Sequence, residues 1–579
     1  MSRLKSGLAL ALELTDPLAA EVFLAFHFSN CNIHLPPSLP QPLADREMVA
    51  SEESPLLPSP PDTEANEPEE RSTKRSGLLI VYCGFLGVLI ASADESIMIS
   101  TYTAIASQFH ALSHGSWLVM AYNFGYCISL PVCSVLGDAY GRKKVLLGSY
   151  LLFGLSCLAC GACTSIPQLV LARVLSGSSG AGVIVMVSII LADFLPSQDV
   201  ALYRGYQNAV NVAGRSFGAP IGGLFIDTIG WRWSFYGQVP ILTLCAVFTA
   251  YRLPSSVNNA TLEDDPLEAV PSRRSPLRDL DYVGIISFSG TLLALLFLLR
   301  AFGARDDSMA VQVSLLSVAF AVGAVVFVAT ELFWARKPLI PLRQISPALA
   351  GYFVIQVLLL GGRWPLVTNL TPYLIRVICA SDFVASTAYV VVALGISVGG
   401  IISGLIIKHT HRTKLLTLLT TTSLILVYTL ITLQFPHGFQ PWYVIHLVLI
   451  GIGSGILFPA LFVGVASIAP EGMLSVTIGT YYLCQQLGLI LGPAVGSAVA
   501  TRGFEDRLWR DLKGVEGDKG TVIHHILNQV RYAETLPAHV QKIVRACYLE
   551  SFTSWPLIAL GATAAMHPIM ALLREPDIV

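Results

Sequence analysis

Fourteen separate apolar runs, each about 20 residues long, constrain this chain more than any other feature. A helix that crosses a bilayer needs about 20 mostly apolar residues, because the hydrocarbon core is about 30 Å thick. Fourteen such helices would occupy about half of the chain. The pattern therefore predicts an all-α polytopic membrane protein with 14 transmembrane helices. The predicted spans begin near Gly77, Trp117, Val145, Leu169, Gly205, Phe235, Tyr282, Val311, Ala348, Val384, Leu415, Trp442, Leu474 and Ser551.

The composition supports a membrane protein and excludes several other classes. Of the 579 residues, 54% are hydrophobic and only 13% are charged, whereas a soluble domain carries about 25% charged residues. The net charge of -2 gives no basic surplus for nucleic acid. The cysteines have neither the spacing of a disulfide framework nor that of paired zinc ligands. We expect no metal and no cofactor.

The cationic residues of the loops give an independent test of the topology. Lys and Arg favour the cytosolic side of short loops, and here they cluster before the first span and in even-numbered loops. This predicts that both termini face the cytosol. The clusters are Arg71, Lys74 and Arg75; Arg142, Lys143 and Lys144; Arg273, Arg274 and Arg278; Arg336, Lys337 and Arg343; and Lys408, Arg412 and Lys414.

The loop after span two carries a short motif of small and charged residues: Gly137, Asp138, Gly141, Arg142 and Lys143. Gly141 permits a tight turn, and the carboxylate of Asp138 suits a helix cap or an ion pair across the cytosolic mouth. The motif resembles the signature of the major facilitator superfamily between spans two and three. The resemblance implies a loop that gates closure of the cytosolic side and does not bind substrate.

Two charged residues interrupt apolar spans, Asp94 in span one and Arg173 in span four. Charged residues at such positions cost several kcal/mol and usually face a partner or a wet cavity. Asp94 lies in a pattern similar to that of the fourteen-span drug:proton antiporters, and Arg173 matches the span-four motif of the superfamily. The resemblance implies that Asp94 carries a proton and that Arg173 takes part in proton coupling. The alternatives are structural: capping or ion pairing for Asp94, and backbone carbonyls as partners for Arg173.

Span five places Gln207, Asn211 and Arg215 at intervals of four residues. Residues four apart share one face of a helix, so these three form a polar stripe. They are candidates for contact with substrate in a central cavity. Hydrogen bonding between helices is an equally good explanation of the stripe.

The same span contains five residues that suit close helix packing: Gly214, Gly218, Pro220, Gly222 and Gly223. Glycines four apart let a neighbouring helix approach closely, and proline softens or kinks a helix. The spacing resembles the antiporter motif of the superfamily, with the proline one place late.

Span six begins after Trp231 and Trp233, with Gln238 two residues before Pro240. The tryptophans suit an interfacial aromatic belt, and Gln238 is a further cavity candidate. This Gln-x-Pro version looks like the fungal vacuolar basic amino acid transporter group. A segment at about residues 502–550, predicted to be lumenal or external, fits the same branch and shows helical spacing of apolar residues. Roles for Glu95, Arg363 and Arg376 are not assigned from the sequence.

The resemblance implies a major facilitator fold of 6 + 2 + 6 spans. We expect a disordered cytosolic tail at residues 1–75, a six-helix bundle at 76–253, a linker loop with two additional spans at 254–345, and a second bundle at 346–579. In the tail, Glu52, Leu56 and Leu57 resemble an acidic dileucine signal for a sorting adaptor. Whether residues 1–47 are genuine is left open, since Met48 is a second candidate start.

We find no hydrolytic machinery, so the expected activity is secondary transport and not enzymatic catalysis. The preferred hypothesis is proton antiport of basic amino acids from the cytosol into the vacuole. The partners are then a small-molecule substrate, protons and the lipid bilayer. The main alternative is a plasma-membrane exporter of drugs, toxins or siderophores. A non-transporting nutrient receptor is a third possibility.

Overall fold

The computed structural model describes residues 67–109, 115–253, 281–303, 310–335, 338–340, 342–380, 382–470, 472–512, 519–528 and 532–575. In these ranges the chain is helical throughout and contains no strand, as expected for an all-α protein. The first six helices are α1 (Glu67–Gln108), α2 (Gly115–Tyr140), α3 (Arg142–Ala162), α4 (Ile166–Phe194), α5 (Ser197–Thr228) and α6 (Gln238–Arg252). A four-residue helical turn, Trp233–Tyr236, precedes α6.

Ten more helices follow. They are α7 (Tyr282–Gly303), α8 (Ala310–Ala329), α9 (Pro347–Ile378), α10 (Asp382–Thr410), α11 (Lys414–Gln434), α12 (Val444–Ser467), α13 (Leu474–Asp511), α14 (Lys519–Asn528), α15 (Ala538–Phe552) and α16 (Ser554–Leu572). A π-helical turn, Thr330–Trp334, extends α8.

Twelve helical segments in the described ranges are long and apolar enough to cross a membrane. The two other predicted spans lie in α1 and α5. Both helices carry charged residues: Asp94 and Glu95 in α1, and Arg204 and Arg215 in α5. The protein is thus a multi-pass helical membrane protein, and the count of fourteen spans stays a prediction.

The helices pack mainly within two groups along the chain. In the first, α1 packs on α5, α2 on α4, and α3 on α4 and α6; in the second, α9 packs on α13 and α16, and α10 on α12. The helices α4 and α12 are the most enclosed, with 83% and 78% of their apolar windows buried. The two groups meet where α5 contacts α10 and α2 contacts α13. The division into two six-helix bundles at residues 76–253 and 346–579 stays a prediction.

The two additional helices, α7 and α8, pack against each other outside these groups. The rings of Phe288 and Phe327 join them, with centroids 5.2 Å apart. Only α7 makes broader contacts, with α2 and α13. Just 11% of the apolar window of α8 is buried, so most of this helix faces the surroundings, which in a membrane are lipid.

The segment before the last span is built around Arg376, at the end of α9. Its Nη2 donates to the carbonyl oxygen of Ile526 in α14 at 2.8 Å, and its guanidinium lies 4.9 Å from the ring centroid of Tyr548 in α15. Arg376 therefore anchors two helices to the end of α9. The helix α13 continues to Asp511, so the segment predicted to start near residue 502 begins as an extension of that helix.

Candidate functional site

An ion pair between Asp94 of α1 and Arg173 of α4 lies at the centre of the first helix group. Arg173 Nη1 lies 2.7 Å from Asp94 Oδ2, and the side chains are 1% and 0% exposed. The Nε2 of Gln238, in α6, donates to Asp94 Oδ1 at 3.3 Å. The ring of Tyr122 covers the guanidinium, with Cζ 4.6 Å from the ring centroid. Asp94 and Arg173, singled out separately in the sequence, are thus direct partners.

Small residues of α5 bring this helix close to α1 beside Asp94. A Cβ atom added to Gly218 would lie 2.5 Å from the carbonyl oxygen of Ala93, and one added to Gly214 would lie 2.5 Å from that of Leu89. A Cβ at Gly223 would meet no atom within 4 Å. The first two glycines of the antiporter motif therefore fix the α1–α5 contact.

The remaining motif residues, Pro220 and Gly222, lie outside the contact between α1 and α5 or at its end. Gly222 is buried, whereas Pro220 is exposed on the outer face of α5. The helix continues through Pro220 to Thr228.

A second ion pair lies next to the first along α1. Arg215 Nη2 lies 2.8 Å from Glu95 Oε2, and the two side chains are 22% and 20% exposed. Ser96 Oγ donates to the carbonyl oxygen of Arg215 at 2.6 Å. Because consecutive helical residues point about 100° apart, Asp94 faces α4 whereas Glu95 faces α5. The adjacent carboxylates thus serve two different arginines.

A cavity of about 80 Å³ lies between the two helix groups. The predicted stripe of α5, Gln207, Asn211 and Arg215, forms part of its wall. Gln238 is not in the lining, because it faces Asp94 inside the first group. The cavity is lined by Ile184, Arg204, Gln207, Asn208, Asn211, Val212, Arg215, Leu360, Arg363, Trp364, Tyr389, Ile396, Phe458, Tyr482, Gln485 and Leu489.

The size and charge of the cavity limit what it holds in this conformation. A water molecule needs about 10–15 Å³ of such space, so the cavity accommodates several waters or one small polar group. A pocket for a drug-sized ligand is at least about 300 Å³. Three arginines line the cavity, and no carboxylate is among its described lining residues.

Polar contacts across the cavity join the two helix groups. Arg204 Nη1 donates to Gln207 Oε1 and to the hydroxyl of Tyr482 in α13, each at 2.5 Å. The hydroxyl groups of Ser188 and Tyr482 also lie 2.5 Å apart. Nearby, Gln486 Nε2 donates to Asn123 Oδ1 at 2.7 Å. The stripe residue Gln207 therefore belongs to a network that spans both groups.

The motif between α2 and α3 forms a polar contact with α13 at the membrane side predicted to be cytosolic. Arg142 pairs with Asp138 at 2.8 Å and with Asp193 at 3.1 Å, and its Nη2 donates to Ser475 Oγ at 3.0 Å. Ser475 in turn donates to Asp138 Oδ1 at 2.6 Å. We call this set the Arg142 cluster. It joins three helices of the first group to α13 of the second.

The other motif residues support the Arg142 cluster. Gly141 has φ +90°, a conformation that a residue with a Cβ rarely adopts. A Cβ at Gly137 would lie 3.0 Å from Cε of Met186. Lys143 Nζ donates to the carbonyl oxygen of Ala250 at 2.8 Å. The glycines thus shape the turn, and Lys143 fixes it to the end of α6.

An ion pair also joins the two groups on the same side. Lys408, at the end of α10, lies 2.8 Å from Asp199 of α5. A Cβ at Gly404 would meet the backbone of Leu202, so the two helices are in close contact there. The sequence indicated Lys408 only as one of the cationic residues of a loop.

Four residues of this site were not assigned from the sequence: Glu95, Arg204, Arg363 and Tyr482. Arg204 lies one helical turn before Gln207 and therefore continues the polar stripe of α5. This spacing can be read from the sequence. Arg363 interrupts an apolar run, a position where ionisable residues are usually functional. The partner of Glu95 and the position of Tyr482 depend on contacts between distant helices, which no local pattern reveals.

Cys157 and Cys160 of α3, and Cys163 directly after this helix, are buried. Cys157 Sγ donates to Gln238 Oε1 at 3.7 Å, and Cys160 Sγ lies 3.7 Å from Ser176 Oγ. No group of three His, Cys, Asp or Glu residues in the described ranges is arranged to hold a metal ion.

Known proteins resemble this chain over most of its length. It is 28% identical to "Vacuolar membrane amino acid uptake transporter fnx2" of Schizosaccharomyces pombe, over 80% of this chain and 79% of that protein. It is 26% identical to "Multidrug resistance protein fnx1" of the same yeast, over 90% and 96% of the two chains. "Vacuolar basic amino acid transporter 1" of Saccharomyces cerevisiae is 28% identical over 51% of each chain.

A solved structure and a family model agree with these relatives. The human organic anion transporter MFSD10 superposes with a TM-score of 0.55 at 15% identity, covering 85% of this chain and 99% of that one. This likeness shows the fold alone. The family model described as "Major Facilitator Superfamily" matches residues 84–493, which include both ion pairs and every described residue of the cavity lining. The chain therefore belongs to the Major Facilitator Superfamily of membrane transporters and is not an enzyme.

Proposed function

We propose that this transporter couples substrate movement to proton antiport, with Asp94 as the proton carrier. The observation that carries the proposal is the fully buried pair of Asp94 and Arg173, at 2.7 Å. Buried charges inside membrane helices are costly and are typical of proton relays. A proton on Asp94 removes its charge and leaves Arg173 without its counter-ion, so the pair favours different helix arrangements before and after protonation.

The second ion pair links this event to the cavity. Glu95 follows Asp94 in α1 and holds Arg215, which lines the cavity. A movement of α1 that separates Asp94 from Arg173 also displaces Glu95 and Arg215. In this proposal, proton binding inside the first helix group changes the wall of the substrate cavity through α1. This is alternating access with the site between two helix groups.

Amino acids, and basic amino acids in particular, are the proposed substrates, moved from the cytosol into the vacuole. Two of the yeast relatives carry vacuolar amino acid transport in their names. The proposed membrane is therefore that of the vacuole, with both termini in the cytosol. The suggested adaptor signal at Glu52, Leu56 and Leu57 lies outside the described residues.

A plasma-membrane exporter of drugs, toxins or siderophores is the second candidate. A relative named as a multidrug resistance protein matches 90% of this chain. Aromatic side chains of the cavity, Trp364, Tyr389 and Phe458, suit flat apolar ligands. This function requires a much larger cavity in another conformation than the 80 Å³ observed.

The test is ATP-dependent uptake of labelled lysine, arginine and histidine by yeast vacuolar vesicles with and without the protein. The proposal expects uptake that needs the protein and collapses with a protonophore. Asp94→Asn should abolish this uptake at equal protein level, whereas Asp506→Asn, an exposed carboxylate at the end of α13, should preserve it. Absence of uptake in vesicles that contain the protein contradicts amino acid antiport and favours the exporter. Full uptake by Asp94→Asn contradicts its role as proton carrier.

A further inference from the structure

Two of the cavity arginines, Arg204 and Arg363, have no carboxylate partner within the described part of the chain. Their residues are only 8% and 5% exposed, and both line the cavity. The other two arginines of this region differ, since Arg173 pairs with Asp94 and Arg215 pairs with Glu95. The cavity therefore carries two positive charges that the described residues do not neutralise.

The hydrogen bonding of these arginines is also incomplete. All three hydrogen bonds of Arg204 in the described structure come from Nη1, and its Nε has no partner. Arg363 makes no hydrogen bond to the described residues, and its Nε is buried without a partner. A guanidinium that binds a carboxylate through two parallel N–H groups uses donors that remain available here.

The two guanidinium groups lie along the same face of α12. Arg363 Cζ is 5.8 Å from the ring centroid of Phe458, and Arg204 Cζ is 3.9 Å from that of Phe462. Residues four apart on a helix have Cβ atoms about 5–6 Å apart. The arginines thus approach one cavity from different helices, Arg204 from α5 and Arg363 from α9.

We propose that Arg204 and Arg363 form a subsite for a carboxylate group of the transported molecule. A buried cation without a counter-ion is strongly unfavourable, and an anionic group with good hydrogen-bond geometry compensates it. The cavity of about 80 Å³ fits such a group with a few waters. This inference rests on the proposed function insofar as the cavity is the transport site.

The subsite also explains how substrate binding acts on both helix groups. Arg204 belongs to the first group and Arg363 to the second, so like charges face one cavity from both sides. A bound carboxylate that both guanidinium groups reach makes an attractive contact with each of them and draws α5 and α9 together. A basic amino acid then binds through its carboxylate, which all amino acids share, and its cationic side chain lies away from the arginines.

The substrate class follows from this chemistry. Molecules with a free carboxylate bind, and close analogues without it do not. Lysine, lysinamide and cadaverine form a matched series. Lysinamide lacks the negative charge of the carboxylate, and cadaverine lacks the whole carboxylate group. Glutarate serves as a carboxylate probe without an amine.

The experiment measures binding by the thermal stability of the purified full chain in lipid nanodiscs during titration with each probe. We expect lysine and glutarate to raise the Tm, and lysinamide and cadaverine to have an effect at least tenfold weaker in apparent affinity. Arg204→Gln and Arg363→Gln should each weaken glutarate binding at least tenfold, and Arg363→Lys, which retains the charge, should weaken it less. Arg412→Gln, an exposed arginine outside the cavity, is the matched control.

The outcomes separate this subsite from the proposed function. Equal binding of lysine and cadaverine, or glutarate binding that survives both Gln variants, overturns the subsite. Glutarate binding that depends on both arginines supports it, even if vesicles transport no amino acid, a result that contradicts only the amino acid antiport. If a Gln variant does not fold, its Tm without ligand shows this directly. The affinity of Arg363→Lys for glutarate then tests the subsite.

Discussion

The ion pair of Asp94 and Arg173 permits a quantitative prediction about stability. Removing one partner of a buried pair costs about 3–5 kcal/mol, since the other charge is left uncompensated. Asp94→Asn retains an oxygen that accepts from Arg173, so we expect the lower end, roughly 3 kcal/mol. The guanidinium cannot lose its proton, and this cost should not change between pH 5 and 8.

Arg173→Gln is expected to cost less, roughly 1–3 kcal/mol, the cost of an incompletely satisfied buried polar group. Asp94 then loses its cation but keeps one hydrogen-bond donor, since Gln238 donates to it at 3.3 Å. The two single variants thus differ in the size of the cost.

Thermal unfolding of the purified protein in one detergent measures these effects, with Asp506→Asn as control. For a folding unit of about 150–250 residues, which is the size range of one helix group, a change of 1 kcal/mol in the free energy of unfolding shifts the Tm by roughly 2–4 °C. Asp94→Asn should therefore lower the Tm by roughly 6–12 °C. The double variant should be less destabilised than the sum of the singles by about 0.5–3 kcal/mol. Additive effects, or an Arg173→Gln variant that is less stable than Asp94→Asn, would refute the reasoning.

Three further variants test other contacts. Arg142→Gln removes the cation that pairs with Asp138 and Asp193 and should lower transport more than tenfold. Lys408→Gln breaks a half-exposed pair and should change transport less than threefold, because such pairs contribute about 0–1 kcal/mol. Similar losses of vesicle uptake in the two variants would contradict this. Gly218→Val forces α5 away from α1 and should reduce the yield of monodisperse protein severalfold in size-exclusion chromatography. Gly223→Val should not reduce this yield. Equal yields of the two variants would show that the close contact is unnecessary. Arg376→Gln should accelerate amide hydrogen exchange in α14 at least tenfold, and unchanged exchange would mean that this helix is held by other contacts.

The parts of the structure that follow from local chemistry were predictable. Long apolar runs determine where membrane helices lie, and an intramembrane charge such as Asp94 or Arg173 is conspicuous in such a run. The sequence could not show that these two residues are partners, since the contact depends on how α1 packs against α4. Glu95 shows the same limit: its direction 100° from Asp94 was predictable, whereas its contact with Arg215 was not.

Two differences between the prediction from the sequence and the structure of the cavity have specific causes. Arg204 lay at the predicted edge of span five, but α5 begins at Ser197, so this arginine lies about two turns inside the helix and reaches the cavity. Gln238 was a candidate for substrate contact, yet its amide is engaged by Asp94 and by the carbonyl oxygen of Ser234. In both cases helix length and rotation, which polar sequence patterns define poorly, decided the position.

The partners of Arg142 have a consequence for the reversibility of closure. Asp138 and Asp193 belong to the same helix group as Arg142, and only Ser475 belongs to the other. If α13 withdraws, the guanidinium retains both carboxylates, and the loss is limited to the hydrogen bonds of one hydroxyl, about 1.5–3 kcal/mol for each bond to a charged group. Opening at this cluster therefore exposes no unpaired charge, in contrast to the contact between Lys408 and Asp199, whose two charges separate when the helix groups part.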